Sequence, residues 1–140
     1  MLFEFNTNMY EKDTYEKDMY TKEAPETFDL EEGFVKGNMF KNLYDEYKDY
    51  KPYTIKVKTE RESMLVKLMM LDFAINDLNL YLEIYPDDKE CYQLFTKYCL
   101  AYEKLLHEYE KKYQVLDVNH DTFGKYTWFK NPWPWEGNYV

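Results

Sequence analysis

The chain is 140 residues long, with 27 acidic and 18 basic side chains, a formal net charge of -9 and a pI near 4.8. The acidity is even: residues 1–58 carry 13 acids and 9 lysines, and residues 59–140 carry 14 acids and 9 bases. With no basic stripe, nucleic acid and an anionic membrane surface are excluded as partners.

The length is that of one ordinary domain. Tyr occurs 16 times, Phe 9 and Trp 3, yet the mean hydropathy is -0.78. Such amphipathic rings suit surfaces that are wet during synthesis and dry after assembly. The opening MLFEFNTNMYEKD has no basic region and turns polar within six residues, unlike a signal peptide. Met64–Leu71, the longest apolar patch, is interrupted by Lys67 and too short to span a membrane. Cytoplasmic synthesis is the expectation.

Residues 1–29 read as a disordered or extended Tyr-rich arm. Tyr10, Tyr15 and Tyr20 recur every five residues, in YEKDT, YEKDM and YTKE. That period is neither helical nor strand-like. The repeat is a tether, or a set of tyrosines offered for cross-linking or docking. Residues 30–58 form a short helix and a linker. Phe40, Leu43, Tyr44 and Tyr47 fall at helical spacing and predict a helix of two or three turns capped at Asn38. Thr54–Lys58 alternates like a strand, but with no partner strand it reads as an extended linker.

Residues 59–113 predict a helical hairpin. Over Glu60–Pro86, Leu65, Leu68, Leu71, Ile75, Leu78 and Leu82 form one seam at steps of three and four. A second apolar series, Met69, Phe73, Leu80 and Ile84, demands burial on another side. Asp72, Asn76, Asp77 and Asn79 interrupt it; an exposed stripe and a buried hydrogen-bond set that fixes docking both stand open. Pro86 stops this helix, and Asp87 with Glu90 predicts the cap of the next. The second helix carries Cys91, Phe95, Tyr98, Tyr102, Leu105 and Tyr109 on one face. So short a turn makes the helices antiparallel. Residues 114–140 predict an extended Trp/Pro-rich tail, with Val115, Leu116 and Val118 available to pack back. The fold class is all-α: an antiparallel two-helix hairpin with a short N-terminal helix and extended aromatic-rich arms. So small a hairpin needs cover for its second face, from the chain's own arms, a second copy or another protein.

No catalytic constellation emerges. Ser63 is the only serine, neither cysteine has a nearby His at a helical offset, and the phosphate-loop and H-E-x-x-H patterns are absent. Cys91 and Cys99 sit too far apart along one helix for a disulfide. They read as reduced residues of a helix face, or as links to another chain. Glu103, His107 and Glu110 share a helix side but lack the paired motif of di-metal bundles. No cofactor or metal is expected.

FAINDLNLYLEIYPDD (Phe73–Asp88), YEKKYQVL (Tyr109–Leu116) and W..NPWPWE (Trp128–Glu136) resemble the spore coat protein JB (CotJB) family over about residues 64–137. EEGFVKGNMFKNLYDEYKDYKPY (Glu31–Tyr53) is similar to the companion spore coat protein JA (CotJA). The resemblance implies a non-enzymatic component of the bacterial endospore coat, made in the mother-cell cytoplasm. It implies assembly with a manganese-catalase-like coat protein of the JC type (CotJC), with other spore coat proteins, and with copies of itself. The alternative it offers is an accessory subunit that modulates or stabilises a manganese catalase in peroxide defence. The expected partner-binding residues are Phe40, Leu43, Tyr44, Phe73, Leu80, Trp128, Trp133 and Trp135.

Overall fold

A computed structural model describes residues 26–45, 47–52, 54–121 and 123–136. The tyrosine repeat lies outside the described residues. Helix α1 spans Leu30–Lys36. Asp29 caps it by accepting from the Glu32 amide at 2.8 Å, Glu31 and Glu32 favour its positive end, and Gly37 closes it at φ 73°.

The short helix therefore lies upstream of the expected one. At Phe40 the chain is extended, and only a 3-10 turn follows at Lys41–Leu43. Asn38 caps no α-helix: its side chain accepts from the Phe40 amide at 2.7 Å and donates to the Leu43 carbonyl at 3.2 Å. Tertiary contacts override the helical spacing. The Phe28 amide donates to the Met39 carbonyl and the Lys41 amide to the Glu26 carbonyl, forming an antiparallel bridge between Thr27 and Phe40. This extended stretch places both Met39 and Phe40 in the core.

Helix α2 spans Glu60–Ile84. Thr59 and Glu62 form a reciprocal capping box at its start. Helix α3 spans Lys89–Lys112. Its cap is Asp88, one residue beyond the expected Asp87. One Asp88 oxygen accepts from the Cys91 amide at 3.0 Å and the other from the Tyr81 hydroxyl at 2.9 Å. Burial, then Asp88's hydrogen bond and charge, push the Tyr81 phenol far above its ordinary range. The turn is thus tied back to α2 by a phenol that stays protonated.

The two long helices pack as an antiparallel hairpin. Its core holds Met39, Phe40, Ala74, Leu78 and Cys91, with Phe73, Tyr81, Leu94 and Phe95 packed around them. Phe34 meets Phe73 edge-on at 5.8 Å, and Phe40 lies 4.8 Å from Tyr81. Residues 28–40 therefore cover one open side of the hairpin. Asp77 decides that docking, because its carboxylate accepts from the buried Met39 amide at 2.7 Å. Asp72, Asn76 and Asn79 are exposed, as are Met69, Leu80 and Ile84. The polar series of α2 is thus split: one member orders the chain's own arm and the rest face solvent. Thr54–Lys58 forms no strand.

Candidate functional site: an aromatic tail clasped to the hairpin

The start of α2 and the end of α3 meet at the hairpin's open end, where the tail departs. Arg61 joins them. Its Nε donates to the Tyr109 hydroxyl at 3.2 Å and its Nη2 to Gln114 Oε1 at 2.6 Å. The guanidinium also lies 5.4 Å from the centre of the Tyr113 ring. Tyr109 is fully buried. Arg61 is the chain's only arginine, and no local pattern announced its role, because its partners lie about fifty residues away. Arg61→Lys is expected to lower stability by about 1–2 kcal/mol, since an ammonium cannot reproduce the planar fork. Thermal unfolding checks this, and an unchanged melting temperature contradicts it.

Glu110 is the second anchor. It is only 7% exposed, yet its Oε1 accepts from the Leu116 amide and meets His120 Nδ1, both at 2.9 Å. This carboxylate turns the chain back onto α3, buries Val115 and holds a 3-10 turn at Val118–His120. Of Glu103, His107 and Glu110, which share a side of α3, Glu110 is engaged in that turn and the His107 ring packs 5.4 Å from Phe123. Among the described residues no group of three or more His, Cys, Asp or Glu is arranged to hold a metal ion. Cys91 is buried; burial first, then the Glu103 charge, pushes the Cys99 thiol up, away from the reactive thiolate.

Asp121 closes the next loop. Its Oδ2 accepts from the amides of Thr127 and Trp128, the latter at 2.7 Å. Burial pushes this carboxyl up, but those amides and the Thr127 hydroxyl outweigh it and hold the group below its ordinary 3.8. A depressed folded-state value means that the ionised form steadies the loop. That contribution is present at neutral pH and is lost as pH falls through the folded-state value. Tryptophan fluorescence is expected to hold steady down to about pH 4 and to shift below it. Asp121→Asn is expected to remove the acid transition, and a transition unchanged in that variant contradicts the assignment.

The tryptophans then gather. Trp133 Nε1 donates to the Trp128 carbonyl at 2.8 Å, and the Trp133 amide donates to Glu136 Oε2 at 3.2 Å. Trp135 lies 5.9 Å from Trp128 and 5.3 Å from Trp133, ring to ring. Asn131–Pro132 is cis, and a 3-10 turn occupies Pro134–Glu136. Between tail and α3 runs a groove of about 300 Å³, lined by Tyr113, Val115, Trp128, Pro132 and Trp133 among others. The tail is therefore a compact clasp rather than an extended arm. Its inner side is Trp128 and Trp133, both half-buried. Its solvent-facing rings are Trp135, 67% exposed, and Phe129, 64% exposed and stacked on Tyr126 at 6.2 Å.

The other expected contact residues divide in the same way. Phe40 belongs to the chain's own core, and Phe73 is half-buried against Phe34. Tyr44 is half-buried with its ring edge-on to Phe28 at 5.8 Å. Leu43 and Leu80 are exposed. Phe129 and Tyr126, which are not among the expected contact residues, are exposed aromatics among turn-forming residues, as Trp135 is.

No described helix is long and apolar enough to cross a membrane. Neither a curated protein nor a solved structure matches the chain. The CotJB family model ("CotJB protein") matches residues 62–136, which takes in most of α2, all of α3 and the whole clasp. More than half of the chain falls within that match, and the chain belongs to the CotJB family.

Proposed function

We propose that the chain assembles with a manganese-catalase-like coat protein of the JC type and that the solvent-facing rings of the tail are its main contact. Membership of the CotJB family makes the chain a spore coat protein; the proposal adds the partner, a non-enzymatic structural role and synthesis in the mother-cell cytoplasm. The observation that carries it is the exposure of three tail aromatics, Tyr126 and Phe129, which stack on one another, and Trp135. Aromatic side chains are enriched at the centres of interfaces. Here they are pre-ordered by the Asp121 and Trp133 hydrogen bonds, so docking loses little further freedom. Met69, Leu80 and Ile84 on α2 offer a second apolar surface for a neighbouring coat protein or another copy of the chain. The JA-like character of residues 30–53 belongs to the same proposal, as an arm whose Met39 and Phe40 are buried in the chain's own core.

Co-expression with the catalase-like protein, followed by affinity capture of either chain, tests this reading. Stoichiometric recovery of the other chain is expected, and recovery at background level contradicts it. Peroxide turnover and manganese content of the partner, with and without this chain, separate scaffolding from an accessory role. The structural reading expects both to be unchanged.

A further inference from the structure

A groove of about 370 Å³ opens where α1, α2 and α3 meet. Its floor is apolar, with Leu30 from α1, Leu71 from α2 and Tyr98 from α3. Its rim is basic: Lys67 stands on α2, and Lys97 and Lys104 stand two turns apart on α3. Glu108 is the only acid lining it. All three lysines are exposed, and none makes an ion pair among the described residues. Lys36 and Lys112, by contrast, pair with Glu32 and Glu60. In a chain where acids outnumber bases 27 to 18, three unpaired lysines around an apolar slot invert the local charge. Exposed charges are screened within about 8 Å. The complementary occupant therefore brings its carboxylates to the rim itself and offers a ring to the floor.

The sequence contains such a segment. YEKD occurs at Tyr10–Asp13 and again at Tyr15–Asp18, and residues 1–25 hold six acids against three lysines. This segment, outside the described residues, joins the described chain at Glu26, four positions before the groove-lining Leu30. From Leu30, Tyr20 is ten residues away and Tyr15 fifteen. Extended chain covers about 3.3 Å per residue, so either tyrosine has ample reach. Tethering also gives the segment a high effective concentration at the groove, which lets individually weak contacts hold.

We propose that the tyrosine–acid repeat of residues 10–20 occupies this groove in the same chain. The rings lie on Leu30, Leu71 and Tyr98, and the glutamates and aspartates face Lys67, Lys97 and Lys104. The repeat then covers a side of the hairpin that α1 leaves open, independently of any partner on the tail.

Carbodiimide coupling of the full chain tests this, because it joins an amine to a nearby carboxylate with loss of water. An equal mixture of unlabelled and nitrogen-15-labelled protein identifies which chain supplies each peptide. Lys67, Lys97 or Lys104 is expected to be linked to Glu11, Asp13, Glu16 or Asp18, with both peptides of one isotopic kind. The Lys112–Glu60 pair, 2.6 Å apart, reports that the hairpin is folded. In Tyr10→Ser/Tyr15→Ser/Tyr20→Ser the rim links are expected to fall to the level seen at Lys48 and Lys51, with the Lys112–Glu60 link intact. Three results overturn the proposal: no rim links while Lys112–Glu60 is present, links that persist undiminished in the serine variant, or mixed-isotope links, which assign the groove to a second copy's segment.

Discussion

Replacing Phe129 and Trp135 together with alanine is expected to weaken assembly with the catalase-like coat protein by about 3 kcal/mol, roughly a hundredfold. Thermal stability is expected to stay within about 0.5 kcal/mol, because both side chains are mostly in water and touch other tail rings only at the surface. The pairing of those two results is what matters. Trp133→Ala is a different experiment, since Trp133 closes the clasp through its bond to the Trp128 carbonyl. Its loss disturbs the fold of the tail and weakens binding only through that disturbance. Titration of the partner by calorimetry, alongside thermal unfolding of each variant, separates the two tryptophans. Equal loss of stability in both experiments contradicts the division into half-buried and solvent-facing rings.

Leu78→Ala is expected to lower stability by about 2–5 kcal/mol. Leu78 is fully buried in the cluster shared by Ala74, Cys91 and the extended Met39–Phe40 stretch. Truncation there opens a cavity between three chain segments at once. Most of a small domain's stability falls in that range, so the variant is expected to unfold near physiological temperature or to lose its N-terminal cover first. Urea unfolding followed by circular dichroism measures it. A loss below about 1 kcal/mol means that the site collapses freely, and that residues 28–40 are not packed as described.

The hairpin was legible because its signals are local and repeated. The steps of three and four through Leu65, Leu68, Leu71, Ile75, Leu78 and Leu82 define α2, and Pro86 marks where it must stop. The cap slipped by one residue, from Asp87 to Asp88, because either carboxylate suits the position. The hydroxyl of Tyr81, reaching back over the turn, selects the second. The helix expected at Phe40–Tyr47 failed for a different reason. Its spacing is helical, but Met39 and Phe40 gain more by entering the core as extended chain, with Asp77 accepting the freed Met39 amide. Propensity is a weak prior against a buried contact of that kind. The true helix carried its own signals, Asp29 ahead of Glu31 and Glu32 and then Gly37, in a stretch with a less regular apolar pattern.

The tail shows the same division. The three tryptophans raise the expectation of a contact surface, and Pro132 and Pro134 mark the tail as neither long helix nor strand. What the sequence did not announce was closure. Arg61, Glu110 and Asp121 make that closure, and each does so by hydrogen bonds to residues chosen by the fold. Glu110 in particular shares a helix side with Glu103 and His107, and reads as one of a solvated charge run until Leu116 and His120 turn back upon it. The clasp changes what the tryptophans mean. Two of them order the tail, and one, like Tyr126 and Phe129, is exposed to solvent.

The most direct test of the account is amide hydrogen exchange on the chain alone and in complex with the catalase-like protein. Slowed exchange on binding is expected across residues 123–136. The amides of Thr127 and Trp128, already bound to Asp121 in the free chain, are expected to be slow in both states. A complex in which residues 123–136 exchange at unchanged rates while protection appears elsewhere contradicts the tail as the contact surface.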